Sequence, residues 1–386
     1  VSHLRFGKKP IKAPYLISSA NFISCSNQAY VNMYDVTAGL KPGGAFLLNT
    51  VWTPEELDEK LPAAMKRYIA KNKINFYTIN AVELARGLGL GNRTNMIMQS
   101  AFFKLANVIP IDEAVGYMKA QIQKAYGKKG EKIVNMNNAA VDAGNQNLVK
   151  IDVPEAWANA PDDPVVDKKD PEFIKNILRP ITRQEGDKLP VSAFVGAEDG
   201  TFPSGTSQYE KRGVAAFVPR WIKENCIQCN QCSLVCPHAA IRPFLLDEAE
   251  AKAAPQEFET LKAVGKQLAG LTYRMQVSPL DCMGCEVCVN CCPSKEKALV
   301  MEPLETQSEV EAANWEFATT LKVKDNLWNK YSVKGSQFCQ PLFEFNGACG
   351  GCGETPYIKL LTQLYGDRMM MANATGCSSI YPAAAP

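Results

Sequence analysis

The sequence predicts a multidomain chain that joins an α/β layer to α+β segments, and three observations carry this prediction. Residues 1 to about 150 alternate strand-like and helix-like runs, the pattern of a parallel α/β layer. Two C-x2-C-x2-C-x3-C-P runs follow, Cys226 to Pro237 and Cys282 to Pro293. From Pro154 to about Pro219 the texture changes to Pro, Asp and Gly, which interrupts periodic structure and reads as a linker.

In chain order, Ala13 to Ile17 and Asn21 to Ser24 read as extended, and Ala29 to Leu40 as a helix ending in a turn at Lys41 to Gly44. Ala45 to Asn49 is a short apolar run expected to be a buried strand. Thr53 suits the N-cap of a helix through Lys71, with Pro54 at its first position and acidic residues in its first turn. A strand is expected over Ile74 to Ile79, then helices over Met96 to Leu105, Ile111 to Tyr126 and Glu131 to Ala143. Gly87-Leu-Gly-Leu-Gly91 lacks G-x-G-x-x-G spacing and follows no strand, so it reads as a helix end rather than a dinucleotide loop. Lys128 to Lys132 and Glu210-Lys-Arg read as solvated charge. Glu248 to Leu271 is expected to be a helix inserted between the cysteine runs, and 304 to about 335 a connector.

Bulk composition narrows the function classes. Forty-two basic against 40 acidic residues give a net charge of +2, which offers no general attraction for nucleic acid or an anionic membrane. No apolar run reaches the roughly 18 residues of a membrane span, and Val1 to Pro10 lacks a signal peptide's apolar core. Fourteen cysteines would fit an oxidising compartment, but eight have metal-type spacing, so a reducing, cytoplasmic setting is expected. The missing initial Met points to a processed product or a piece of a longer chain.

Each cysteine run has the ligand pattern of a paired 4Fe–4S site. Three thiolates at i, i+3 and i+6 wrap three corners of one cuboidal cluster, and the fourth, stopped by Pro, ligates the other. Cys226, Cys229, Cys232 and Cys292 are therefore assigned to one cluster, and Cys282, Cys285, Cys288 and Cys236 to the second. Zinc sites usually present separated C-x2-C pairs with His, and this chain has only His3 and His238. A disulfide framework suits small secreted chains. Cys291 is expected to be a non-ligand held by packing. Cys25 should be buried and inert, and Cys339 has no partner at ligand spacing. His238 is either a donor to cluster sulfur or an exposed loop residue.

A third group follows: Cys349-Gly-Gly-Cys352-Gly-Glu354-Thr-Pro-Tyr, and 25 positions after Cys352, Cys377. Three thiols cannot complete a four-Cys site. They are either free core cysteines or a set whose fourth ligand lies outside this chain.

The Cys349 to Tyr357 segment and Ala374-Thr-Gly-Cys377-Ser-Ser resemble the start of the thiamine-diphosphate domain of the pyruvate:ferredoxin (flavodoxin) oxidoreductase family. Ser2-His-Leu-Arg-Phe-Gly7, Gln208-Tyr-Glu-Lys-Arg-Gly-Val-Ala and the double cysteine run are similar to that family too, in its order. The resemblance implies a gamma-type α/β domain over 1–153 as a coenzyme A platform and a Glu-Lys-Arg linker segment over 154–217. It further implies a two-cluster ferredoxin-like domain over 218–303, a connector over 304–335, and the first part of a thiamine-diphosphate-binding α/β domain over 336–386. It implies a third 4Fe–4S cluster on Cys349, Cys352 and Cys377, with Glu354 and Cys377 touching thiamine diphosphate, whose Mg2+ motif lies elsewhere. Glu354 is alternatively a cap for the helix that Pro356 opens. Asn95 and Asn137 are the positions that would meet coenzyme A, a substrate whose pantetheine arm suits an amide's donor and acceptor; each is alternatively a helix cap.

The family's chain is about three times longer, and its pyruvate site, magnesium-diphosphate motif and fourth proximal cysteine have no counterpart here. Tyr381 to Pro386 also reads unlike the expected Gly-rich continuation. The implied reaction is oxidative decarboxylation of pyruvate to acetyl-CoA, with single electrons passing to ferredoxin or flavodoxin. No catalytic residue is assigned in this segment. A homodimer completed by the enzyme's remaining domains is expected. The competing reading is a stand-alone electron-transfer adaptor that uses only the eight-Cys domain.

Overall fold

The computed structural model describes residues 2–164 and 170–381. It divides into two compact units, Val1–Lys168 and Lys169–Pro386. The sequence reading of Tyr381 to Pro386 lies, except for Tyr381, outside the described residues.

The first unit is built on a four-stranded sheet: β1 (Ala20–Cys25), β2 (Leu40–Asn49), β3 (Asn75–Ile79) and β4 (Val149–Lys150), in that order. β1, β2 and β3 run parallel, and β4 is antiparallel on the edge. Alternating side chains send Phe46, Leu48 and Phe76 into one core and Leu47 and Ile79 into another, so both faces of the sheet are covered. Trp157 packs into the first core and donates from Nε1 to Asp58 Oδ1 at 2.6 Å. On the other face, helix Asn95–Ala106 packs on helix Glu131–Gln146 so closely that a Cβ on Gly144 would lie 2.1 Å from Ile97 O.

Several expectations change here. Ala13 to Ile17 forms no strand: Tyr15 and Leu16 are exposed, and their partner is the Arg5 guanidinium, which lies 5.0 Å from the Tyr15 ring centre and donates to Leu16 O, rather than another strand. The helix expected over Ala29 to Leu40 is one turn, Tyr30–Met33, because Asp35 Oδ1 accepts from the Thr37 N–H and hydroxyl and diverts the chain. Lys41 to Gly44 is an irregularity within β2, looped out between the Ala20–Leu40 and Phe22–Ala45 pairs. Thr53 and Glu56 do form a reciprocal capping box, but Pro62 divides the helix into Glu56–Lys60 and Ala63–Lys71.

In the second unit, β5 (Phe217–Trp221) pairs antiparallel with β9 (Leu299–Pro303), bracketing both cysteine runs. Between them, β6 (Ile241–Leu246), β7 (Leu261–Lys262) and β8 (Thr272–Val277) form a sheet of order β6-β8-β7. The inserted helix is only Glu248–Ala253, opened by an Asp247–Glu250 capping box and followed by Pro255. The connector is mostly a 17-residue helix, Leu304–Thr320, which buries Trp315 against Ala240 and Phe345.

Candidate metal centres

The two cysteine runs fold alike. Gln228 and Asn230 in the first, and Gly284 and Glu286 in the second, all take positive φ, between 55° and 64°. Each loop thereby curls around a recess before a five-residue helix, Gln231–Val235 or Val287–Cys291. Glycine is required at 284, where a Cβ would lie 2.9 Å from Phe217 O. At the matching position the Gln228 amide is used instead: it donates to Lys262 O and accepts from Val264 N, tying the loop to the β7 region.

One recess, of about 330 Å3, is lined by Cys226, Cys229, Cys232 and Cys292, with Trp221 and Tyr273 as aromatic wall. The other, of about 400 Å3, is lined by Cys282, Cys285, Cys288 and Cys236, with Pro237 and Ile241. Each recess thus takes three thiols from one run and the Pro-terminated thiol from the other. Burial pushes Cys226, Cys285 and Cys288 up, and Cys282 to about 12. Thiols so hard to ionise in an apolar wall become thiolates when a cation compensates them, and metal uptake there releases protons. The donor set, four thiols facing each recess, fits an iron–sulfur cluster. Among the described residues, no three His, Cys, Asp or Glu side chains close on a point as a single ion requires. Cys291 lines neither recess; its thiol faces Gln231 Oε1 at 3.9 Å.

The third group is arranged differently. Cys349 and Cys352 share a turn, with Cys352 N donating to Cys349 O at 3.0 Å, and Cys377 opens the short helix Cys377–Ile380. Cys349 and Cys377 are exposed. Burial acts to raise Cys352, but the N–H groups of Thr355 and Glu354 at the start of helix Thr355–Tyr365 outweigh it and hold the thiol low. Glu354 occupies the N-cap position without a side-chain cap bond. The Tyr381 hydroxyl is pushed up to about 12, first by burial and then by the Glu354 carboxylate, with Cys352 and Cys377 adding to it. Glu354, Cys352 and Cys377 therefore all act electrostatically on one phenol.

This loop is strapped to the second recess. Asn346 Nδ2 donates to Pro237 O, the Phe345 N–H donates to His238 O, and His238 Nε2 bonds Ala348 O at 2.9 Å. His238 is neither exposed nor bonded to a thiol: it is buried, and burial keeps its imidazole below the usual range. The Gly351 N–H faces the Cys285 thiol. Lys359, 1% exposed, donates to the carbonyls of Ser233, Leu234 and Cys236, the stretch that joins the two recesses. Sequence reading missed Lys359, because a lysine among Ile358, Leu360 and Leu361 resembles any helix-surface cation.

In the first unit, Asn95 is exposed as the first residue of its helix, while Asn137 is buried and donates to Ile133 O at 2.8 Å. They lie on the two closely packed helices, and neither caps one. Cys25 is buried, its thiol pushed from 9.0 to about 11 by burial. A folded value above the unfolded one stabilises fully below pH 9 and is lost as pH rises through 11. About 3 kcal/mol should disappear across that window, and denaturation of Cys25→Ala should lack this part of the alkaline slope.

Comparisons with known proteins agree with this geometry. Residues 1–147 match the family profile described as pyruvate ferredoxin/flavodoxin oxidoreductase, 160–215 a domain of unknown function, and 225–296 a 4Fe-4S dicluster domain. The chain is 63% identical over 386 residues to pyruvate-flavodoxin oxidoreductase of Enterobacter agglomerans, covering 100% of this chain and 33% of that one. It is 58% identical over 388 residues to pyruvate:ferredoxin oxidoreductase of Moorella thermoacetica, with the same coverage. Identity to the mitochondrial NADP(+) pyruvate dehydrogenase of Euglena gracilis is 49%, over 98% of this chain and 21% of the relative. The chain spans about a third of the length of the first two relatives.

Proposed function

The chain belongs to the pyruvate ferredoxin/flavodoxin oxidoreductase family, and from that premise we propose that it is the electron-conducting section of a pyruvate:ferredoxin or flavodoxin oxidoreductase. Its work is to carry single electrons away from oxidative decarboxylation of pyruvate to acetyl-CoA and CO2. The observation that carries this reading is the pair of recesses, each with four thiols contributed by both runs.

Cys226, Cys229, Cys232 and Cys292 would hold one 4Fe–4S cluster, and Cys282, Cys285, Cys288 and Cys236 the second. Cys349, Cys352 and Cys377 would give three ligands to a third, the fourth coming from further polypeptide. When bound, clusters exchange one electron each, and thiamine diphosphate with Mg2+ serves as electron sink for the carbon–carbon cleavage. Glu354 and Cys377 would sit against thiamine diphosphate, and Asn95 and Asn137 would orient coenzyme A on the gamma-type domain. The contact of Gly351 with Cys285 supports a path from the third set through the Cys282 set to the Cys226 set.

The domain limits are those given by the sequence: 1–153, 154–217, 218–303, 304–335 and 336–386. The proposed setting is cytoplasmic, in a homodimer completed by the enzyme's other domains. No described helix is long and apolar enough to cross a membrane.

The test is anaerobic. Pyruvate and coenzyme A, added to the complete enzyme, should reduce its clusters and then a low-potential acceptor. Clusters that take electrons from dithionite yet respond to no 2-oxoacid would make the protein an electron-transfer adaptor instead.

A further inference from the structure

The segment matched to a domain of unknown function ends in Glu210-Lys211-Arg212, which sequence reading treats as solvated charge. It is not solvated. Lys211, held at φ 47°, donates from Nζ to Asp281 Oδ2 at 2.5 Å. The Asp281 side chain is only 2% exposed and immediately precedes Cys282. Its other partner is the Ser278 hydroxyl at 2.6 Å, which is neutral. The Lys211 ammonium also lies 5.1 Å from the centre of the Phe345 ring.

The backbone around Lys211 grips the same loop. Gly213 N donates to Leu280 O at 2.8 Å, and Ala215 and Phe217 press on Gly284 between Cys282 and Cys285. Ser207 Oγ donates to Glu344 O at 3.1 Å, in the loop that leads to Cys349. Arg212 pairs with Glu210 within the segment and adds no net charge.

We infer that the Glu210-Lys211-Arg212 segment is an electrostatic clamp on the second thiol set, in which Lys211 cancels the buried Asp281 charge beside Cys282 and pins that loop against the one bearing Cys349. The inference rests on the reading that Cys236, Cys282, Cys285 and Cys288 hold a cluster. One-electron reduction adds a negative charge to that site. An uncancelled carboxylate next to it opposes reduction, and its effect is large where water is excluded.

The experiment is a redox titration followed by electron paramagnetic resonance on the anaerobically purified protein, with signals assigned by Cys292→Ala. In Lys211→Met the reduced-to-oxidised ratio of the Cys282-set cluster should fall about tenfold at fixed potential, about 59 mV for one electron. The Cys226-set cluster should stay within about twofold. Lys211→Met/Asp281→Asn, which removes both charges, should restore the ratio to within about threefold.

An unchanged single variant, an equal shift in both clusters, or a double variant that does not recover would each overturn the assignment. If Lys211→Met takes up no iron, the double variant decides: near-native titration upholds the clamp, and failure to load refutes its electrostatic part. A wild-type protein without iron would instead sink the cluster reading.

Discussion

Cys292→Ala is expected to lose about four irons per chain and, with them, the cluster held by Cys226, Cys229 and Cys232, sparing the cluster of its own run. The reason is the crossed lining: Cys292 faces the first recess and Cys236 the second. The Cys292 thiol is also prepared for ligation. Burial acts to raise it, but hydrogen bonds from Ala298 and Ser294, with the Lys297 charge, bring it below its ordinary value. Cys236→Ala should give the reciprocal loss. Iron and sulfide analysis with electron paramagnetic resonance reads both variants. Loss of the Cys282-set signal in Cys292→Ala would mean that each run is self-contained.

Lys359→Met is expected to destabilise the second unit by about 2 kcal/mol or more at pH 7. Two effects compete. Burial pulls the ammonium from 10.5 to about 8, so keeping it charged costs about 3 kcal/mol. Against this stand its bonds to three carbonyls, each on the order of 1.5–3 kcal/mol for a charged donor, and the penalty of stranding those carbonyls in a dry interior. The bonds win. Lys359→Arg should lose less than Lys359→Met, and hydrogen exchange across Gln231 to Val235 should quicken most in the Met variant. Equal stability of wild type and Lys359→Met would show that those carbonyls find other partners.

How much could be read in advance depended on whether the signal was local. Thiol spacing is local, and it anticipates which four cysteines share each recess. Ala45 to Asn49 and Ile111 to Tyr126 were legible because burial and helical period repeat within single segments. The failures are places where one residue overrides a propensity. Pro62 interrupts a helix that Thr53 begins correctly, and the Asp35–Thr37 turn stops another after four residues. The helix Leu304–Thr320 reads as a connector because its apolar residues form no single stripe, although Trp315 is buried in the core. Lys211, His238 and Lys359 were misread or missed because their partners lie 70, 110 and up to 126 positions away. Charge alone carries no record of such distant partners.

The pairing of β5 with β9 has a consequence for how such chains can be assembled. Phe217 lies opposite Pro303, so the segment that carries both thiol sets leaves the polypeptide where it entered. A host backbone meets it as a closed loop with adjoining stumps. The flanking chain on both sides, from Lys211 before it to Trp315 and Lys359 after it, is thereby brought back onto the same segment.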